Sequence, residues 1–237
     1  MKFTNLFTSS LGKKFIMAVT GMALFLFVVA HLLGNLQIFL GPDTLNRYGA
    51  FLQGNTELLW PARIILLILV GLHIWSAIKL SLENEAARPQ PYAHHEIVAA
   101  SYASRTMVMS GLIILAFIIY HLLHFTVMSQ AVNLTHRDFA QLRDAQGRHD
   151  VFAMMVLGFR KPLVSVFYII GMALLFLHLS HGLSAMFQSL GWKSAAYGAA
   201  IDRFARIGSW LIFLGYISIP LSILFGYGNG YLQEALK

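Results

Sequence analysis

The sequence LVSVFYIIGMALLFLHLSHGLSAMFQSL, from Leu163 to Leu190, contains no charged side chain and carries two histidines, His178 and His181. It is longer than the roughly 20 residues that a helix needs to cross a hydrocarbon core about 30 Å thick. A segment inside a bilayer must satisfy its own backbone hydrogen bonds, which a helix does. The stretch therefore predicts a transmembrane helix. Its histidines are candidates for function, because ionisable groups inside a membrane span are costly.

Four other stretches have the same apolar character, and the composition agrees with them. Of 237 residues, 57% are hydrophobic and 11% are charged, whereas about 25% of residues are charged in an average soluble domain. The mean hydropathy is +0.66. We expect one all-α integral membrane domain over residues 1–237, folded as a five-helix bundle. The predicted helices are Phe15–Leu40, Leu58–Leu82, Met107–Met128, Leu163–Leu190 and Ile207–Tyr227.

The first predicted helix imitates a secretory signal, because Lys13 and Lys14 precede its apolar run. That run is far longer than the roughly 7–15 residues of a signal-peptide core, and no small-x-small cleavage site closes it. We therefore expect a retained helix. The lysines and arginines divide almost evenly between the two sides of a five-span topology, so the charge pattern barely favours a cytoplasmic N-terminus.

The chain contains no cysteine, and its formal net charge is +7. The lack of cysteine excludes disulfides, c-type haem attachment and cysteine-held iron–sulfur clusters. If the chain handles electrons, histidine must hold the cofactor. In a membrane protein the positive charge indicates topology and contact with lipid headgroups, and we expect no nucleic-acid partner.

Four of the predicted helices carry histidines at matching depth. His31 and His121 lie at similar depth in the first and third helices, which run in the same direction; His73 and His178 form a second level pair. A single intramembrane histidine is more often an interhelical hydrogen bond or a proton relay. Two level pairs, however, are what two six-coordinate haem irons need, and helix bundles commonly hold such cofactors. We expect a four-helix haem-binding core.

Two helices carry a second histidine three residues later, His124 and His181, about 4.5 Å further along the helix. We assign iron ligation to His121 and His178, because their depth matches that of their partners. His124 and His181 stay as candidates for contact with a haem propionate, a quinone or the interface. The remaining histidines lie in predicted loops and are expected to be solvated: His94, His95, His136 and His149.

A weak internal repeat places Thr20-Gly21 ten residues before His31 and Ser110-Gly111 ten residues before His121. Ten residues of helix rise about 15 Å. A glycine at that distance lets a flat ring approach the backbone, or it forms a small-residue notch for helix packing. The sequence leaves both interpretations open.

The connections are short and polar. The loop Gly41–Glu57 opens on a Gly-Pro-Asp turn pattern, and Glu83–Ser104 contains Pro89, Pro91 and the pair His94-His95. The longest connection is Ser129–Pro162. Trp60 and Trp192 lie at predicted helix ends, where interfacial aromatic residues are common.

Several strings around the histidines resemble a known family. They are FLFVVAHLLGN around His31, ILVGLHIWSAIK around His73, SRTMVMSG and IIYHLLHF between Arg105 and His124, and FLHLSHGLSAMF around His178. With the H-x-S-x-G-L pattern that begins at His178, they resemble the five-helix cytochrome b anchor subunit of dihaem succinate dehydrogenases and fumarate reductases. The likeness covers essentially the whole chain.

The resemblance implies two haems b. The first and third helices (His31, His121) would ligate the distal haem, and the second and fourth (His73, His178) the proximal one. It also implies a multi-pass protein of the bacterial cytoplasmic membrane with a cytoplasmic N-terminus. A flavoprotein subunit and an iron–sulfur subunit would dock on that side, and menaquinone would be the quinone. The chain would be an electron-transfer subunit of an enzyme with no catalytic centre of its own.

Two departures from the family pattern concern protons and propionates. Some relatives carry a glutamate two residues before the fourth ligand, where this chain has Phe176, so transmembrane proton transfer of that kind is not expected. No lysine follows that ligand within two helical turns, although Lys193 lies further on. Arg105 and Lys79 are the candidates for pairing with a propionate of the proximal haem.

We expect a quinone site near the distal haem, at the outer ends of the first three helices. Its candidate residues are Gln37, Glu57, Trp60, Arg63 and His124. Two other functions compete with this interpretation. One is a dihaem cytochrome b subunit of a hydrogenase or formate dehydrogenase, and the other is a colourless proton channel or transporter with a histidine relay.

Overall fold

The computed structural model describes residues 4–87 and 105–235, and of Thr4 only the backbone. Within these ranges the secondary structure is helical, with one isolated bridge between Arg143 and His149. Five helical segments are long and apolar enough to cross a membrane: Ser10–Leu40, Thr56–Ala86, Met107–Thr126, Pro162–Ser189 and Gly198–Leu224. These segments confirm the predicted all-α, multi-pass membrane architecture, whereas the haem-binding core stays a prediction.

The described helices, in chain order, are α1 (Thr4–Thr8), α2 (Ser10–Leu36), α3 (Pro42–Gly54), α4 (Thr56–Ala86), α5 (Met107–His121), α6 (Gln130–Asn133), α7 (Val151–Phe159), α8 (Pro162–Ser189), α9 (Gly198–Leu224) and α10 (Asn229–Ala235). The 3-10 turn Gln37–Leu40 extends α2, and the π-helical turn Leu122–Thr126 extends α5. In the π turn the amide of Val127 donates to the carbonyl of Leu122, five residues back.

Two predicted helix starts are corrected. Helix α2 begins at Ser10 rather than Phe15, and α9 begins at Gly198 rather than Ile207. Polar residues do not end a helix when they find partners. Lys13 in α2 is buried and pairs with Glu83, and Asp202 in α9 lies 2.7 Å from the Nζ of Lys193.

The segment Gly41–Glu57, predicted to be a loop, is mostly helix α3. Pro42 occupies its first turn, and Asp43 supplies an acidic side chain there. Both residues are as typical of a helix start as of a turn, because proline lacks only an amide that would be unpaired and the aspartate complements the helix dipole. The turn interpretation was therefore wrong.

The connection Ser129–Pro162 contains α6, a 3-10 turn at Phe139–Gln141 and the buried helix α7. The side chain of Asp150 caps α7 by accepting a hydrogen bond from the amide of Ala153. It also accepts hydrogen bonds from Asn46 of α3 and Tyr231 of α10. These bonds tie three short helices together outside the long spans.

The predictions for the loop histidines have mixed outcomes. His136 is exposed, as expected. His149 is half-buried rather than fully solvated: Nε2 lies 2.9 Å from the carbonyl of Phe139 and Nδ1 lies 3.2 Å from the Gln53 amide. Of the predicted connection Glu83–Ser104, α4 includes the start, up to Ala86. Pro89, Pro91, His94 and His95 lie outside the described residues.

The chain divides into two compact units. The first unit contains Met1–Val28, Arg63–Leu112 and Phe176–Trp210; the second contains Val29–Ala62, Ile113–Leu175 and Leu211–Lys237. Each of the five long helices contributes residues to both units. The single-domain interpretation stays a prediction.

Each unit has its own core. In the first unit, small and flexible side chains pack together: Ala18, Leu183, Met186 and Ala205. In the second unit, the core is larger and rich in aromatic residues, with Phe117, Phe152, Phe159 and Tyr168 among its members.

Candidate functional site

The first unit brings His73 of α4 and His178 of α8 together. Their ring centroids are 6.4 Å apart, and the ring planes are inclined by 62°. Both side chains are half-buried, so each ring keeps an accessible part. This is the pair that the depth of the two histidines in their helices predicts.

A threonine hydroxyl lies within hydrogen-bond distance of the His73 ring. The Oγ1 of Thr20 donates to the carbonyl of Ile16 at 2.7 Å and lies 3.2 Å from the Nδ1 of His73. A hydroxyl has one proton, and here the backbone carbonyl takes it. The oxygen is then placed to accept from an Nδ1–H of His73, in the tautomer that has its lone pair on Nε2.

A serine plays the same part for His178. The Oγ of Ser110 donates to the carbonyl of Met107 at 3.1 Å and lies 3.4 Å from the Nδ1 of His178. The Ser110 oxygen is likewise placed to accept from an Nδ1–H of His178. In that tautomer the unprotonated nitrogen of each ring is Nε2, and a metal-ligating histidine typically has its other nitrogen hydrogen-bonded in this way.

The two glycines of the internal repeat lie beside these rings. A methyl group at Gly21 would come 3.2 Å from the Cε1 of His73, and one at Gly111 would come 3.6 Å from the Cε1 of His178. Each glycine therefore lets an imidazole lie close to a helix backbone. The structure places the repeat at the level of the first-unit pair.

The second unit brings His31 of α2 and His121 of α5 together. Their ring centroids are 5.7 Å apart, and the planes are nearly perpendicular at 80°. The His121 ring stacks on Phe117 with an interplanar angle of 17°. Tyr216 of α9 lies 6.3 Å from the His31 ring. Both histidines are half-buried, as in the first unit.

His124, three residues after His121, has a different environment. It lies in the π-helical turn and is fully buried. Its Nδ1 is 3.0 Å from the hydroxyl of Tyr168, which also lies 3.4 Å from the Nδ1 of His121. Its ring stacks on Phe125 at 4.0 Å. Of these two neighbouring histidines, only His121 faces another histidine and retains accessible surface.

The residues predicted to surround a quinone have different exposures. Glu57 and Trp60 are exposed, Gln37 and Arg63 are half-buried, and His124 is fully buried. Because His124 is enclosed by aromatic side chains, it does not share the exposed surface on which Glu57 and Trp60 lie. A quinone site at these residues stays a prediction.

Polar groups that follow His178 in α8 form a cluster with the start of α9. The Nζ of Lys193 lies 2.9 Å from the Oγ of Ser184 and 2.7 Å from the carboxylate of Asp202. The Lys193 ammonium therefore lies beside Ser184, in the second helical turn after His178, although α8 itself carries no lysine there. Arg105 and Lys79 are exposed, and His181 is half-buried. Phe176, two residues before His178, packs against Trp210 with ring centroids 4.4 Å apart.

Both histidine pairs were tested for their fit to a haem. A histidine nitrogen lies about 2 Å from a bound first-row metal and about 1 Å from its ring centre, so two rings on one iron have centres about 6 Å apart. The observed separations of 5.7 and 6.4 Å are close to this value, and they also lie within the roughly 4.5–7 Å range of ordinary ring contacts. Within residues 4–87 and 105–235, no group of three or more His, Cys, Asp or Glu side chains could hold a metal ion. A haem held by either pair stays a prediction.

Comparison of the chain with protein-family models, with curated proteins and with solved structures finds no match. The case for a function therefore rests on the residues and their geometry.

Sequence reasoning missed three hydroxyl groups of the site. In the sequence, Thr20 and Ser110 stand out only as neighbours of the repeated glycines. Their spacing before the histidines is nevertheless the same in both helices. That repeat was a usable signal. No sequence signal indicates Tyr168, because it lies in an apolar stretch ten residues before His178 and its contacts are made across helices.

Proposed function

We propose that the chain is the membrane-anchor cytochrome b subunit of a succinate:quinone oxidoreductase, a succinate dehydrogenase or fumarate reductase. One observation carries the proposal: two pairs of histidines, from four different long helices, face each other at 5.7 and 6.4 Å. A pair of axial ligands requires two imidazoles at one level on different helices, whereas a proton relay does not require such pairing.

The residues of the chain have distinct parts in this function. His73 and His178 would hold one haem b, and His31 and His121 would hold the other. Thr20 and Ser110 orient the first two rings and keep their Nε2 lone pairs free. Gly21 and Gly111 leave room beside those rings. When bound, a bis-histidine haem supplies one-electron transfer with both axial positions filled, which disfavours oxygen binding.

The wider assignment follows the resemblance of the sequence motifs. A flavoprotein subunit and an iron–sulfur subunit would dock on the cytoplasmic side of a bacterial cytoplasmic membrane, and electrons would pass through the two haems to or from menaquinone. The Lys193 ammonium beside Ser184 adds a cation to Arg105 and Lys79 as a candidate for pairing with a haem propionate.

The test is haem content and spectrum of the purified full-length protein. We expect two b-type haems per chain in a pyridine haemochrome assay, with low-spin reduced-minus-oxidised difference bands. A colourless protein would favour the channel or transporter and overturn the proposal. Co-purification with a flavoprotein distinguishes the succinate dehydrogenase class from a hydrogenase-linked or formate-dehydrogenase-linked cytochrome.

A further inference from the structure

The hydroxyl of Tyr168 lies between two histidines of the neighbouring helix. It is 3.0 Å from the Nδ1 of His124 and 3.4 Å from the Nδ1 of His121. Tyr168 is 7% exposed and His124 is 0% exposed, so water does not compete for these contacts. The π-helical turn Leu122–Thr126 holds His124 in this position.

Proton counting restricts the pattern to two directions. The tyrosine has one proton, and each neutral imidazole carries one proton on one of its two nitrogens. If both contacts are hydrogen bonds, Tyr168 donates to one Nδ1 and accepts from the other. The hydroxyl therefore sets the two histidines to opposite tautomers.

The two distances favour one direction. Bonds donated by a hydroxyl are shorter than bonds donated by a ring N–H. The shorter contact, to His124, is therefore the one that Tyr168 donates, and the longer contact, from His121, is the one that it accepts. His121 then carries its proton on Nδ1 and a lone pair on Nε2, while His124 carries its remaining proton on Nε2. That nitrogen is buried and has no hydrogen-bond partner among the described residues.

We propose that Tyr168 is a positioning residue that holds His121 in the Nδ1-protonated tautomer and couples it to His124. The tautomer assignment stands on the hydrogen-bond geometry, whereas its effect on a haem rests on the proposed function. Because the acceptor oxygen is itself hydrogen-bonded to His124, the electron donation of His121 depends on all three side chains. The Thr20 and Ser110 hydroxyls, in contrast, end on backbone carbonyls.

The test compares Tyr168→Phe with Tyr120→Phe. The hydroxyl of Tyr120 donates to the carbonyl of Val132, and its ring packs against His124. It is thus a half-buried hydroxyl beside the same histidine, and its described hydrogen bond is to a carbonyl rather than to a histidine nitrogen. In the haem-loaded protein, Tyr168→Phe removes an acceptor from His121 and weakens its electron donation. We expect a several-fold increase in the reduced-to-oxidised ratio of one haem at a fixed ambient potential, with the other haem and the Tyr120→Phe protein unchanged.

A second variant and a second readout keep the proposal open to refutation. His124→Leu removes the far acceptor of the same hydroxyl, so it must shift the same haem in the same direction and by less. If Tyr168→Phe leaves both haems unchanged, or shifts the haem that Ser110→Ala shifts, the positioning role is wrong.

Nitrogen-15 spectra of the histidine rings separate this proposal from the proposed function. They should show His121 protonated on Nδ1 and His124 on Nε2, with both patterns changed in Tyr168→Phe. A chain without haem refutes the cytochrome assignment. Its nitrogen-15 spectra still show whether the Tyr168 hydroxyl bridges His121 and His124, which we call the hydroxyl bridge. Equal tautomers at His121 and His124 overturn the bridge whether or not haem is bound.

Discussion

The two histidine pairs are alike in spacing and different in how they are held. In the first unit, Thr20 and Ser110 each donate to a carbonyl of their own helix and lie 3.2 and 3.4 Å from a ring nitrogen. In the second unit, His121 shares the Tyr168 hydroxyl with His124. A hydroxyl tied to the backbone fixes a tautomer without involving any other side chain. A shared hydroxyl makes one histidine depend on another.

The largest expected effect is the selective loss of one haem when one histidine of a pair is replaced. His178→Leu removes a ligand of the first-unit pair, and His121→Leu removes a ligand of the second-unit pair. Each variant should lose one of the two haems, or convert it to high spin, and leave the spectrum of the other intact. Low-temperature optical and electron paramagnetic resonance spectra of the purified variants measure this.

The matched control for these variants is His124→Leu, which should retain both haems, since His124 is buried and faces no histidine. If His121→Leu keeps two low-spin haems and His124→Leu loses one, the ligand assignment in α5 is wrong. If His73→Leu and His121→Leu abolish the same haem, the pairing itself is wrong.

A smaller effect is expected at the two glycines beside the first-unit pair. A Cβ at Gly21 would lie 3.2 Å from the His73 ring, which requires the ring to shift, whereas one at Gly111 would lie 3.6 Å from the His178 ring, an ordinary contact. Gly21→Ala should therefore lower the occupancy of one haem several-fold, and Gly111→Ala should change it little. Haem-to-protein ratios measure the difference, and equal losses in the two variants would remove the steric argument.

Much of the fold follows from the sequence because a bilayer leaves few options. Long apolar stretches must be helices there, and alternating helix directions then place His31 level with His121. Counting residues along each helix was therefore enough to predict which histidines lie level with each other. The helix ends were less accurate, because Lys13 and Asp202 find partners and so remain within helices that apolarity alone would shorten.

The second unit was harder to predict for a physical reason. Helix α7 is too short and too apolar to be distinguished from part of a span, and the polar residues that precede it suggest a loop. Its place depends on Asp150, whose partners Asn46 and Tyr231 are far away in sequence. Tyr168 is similar, since its role is set entirely by contacts between helices.

The hydroxyl of Thr20 provides a finer test of the first-unit pair. Thr20→Val keeps the shape of the side chain but removes the oxygen that lies 3.2 Å from the Nδ1 of His73. Losing one such hydrogen bond costs about 0.5–1.5 kcal/mol, so haem loss from that pair should be several-fold faster. Thr20→Ser retains the oxygen and should behave as the unchanged protein. If valine and serine variants lose haem at the same rate, the hydroxyl does not orient His73.

The smallest expected effect concerns the polar residues of the second unit outside the spans. Arg148 donates to Asp43 and Asp144, each at 2.8 Å. The hydrogen bond from Arg148 holds the pKa of Asp43 below its ordinary value. Burial raises the pKa of Asp144, but the hydrogen bonds from Arg148 and two backbone amides outweigh it, so that pKa is also lowered.

Lowered carboxyl pKa values give the stabilisation a defined pH range. It is fully present above the unfolded-state pKa of about 4 and is lost as the pH falls through the folded-state values. Arg148→Gln should therefore lower the melting temperature by a few degrees at pH 7, with the difference shrinking below pH 4. Arg47→Gln is the control, because the ion pair described for Arg47 is with Asp43 and both side chains are exposed, and such surface pairs contribute little. Thermal melts of the protein in lipid nanodiscs at both pH values measure this. A difference that grows towards low pH would show that Arg148 acts other than through these two carboxylates.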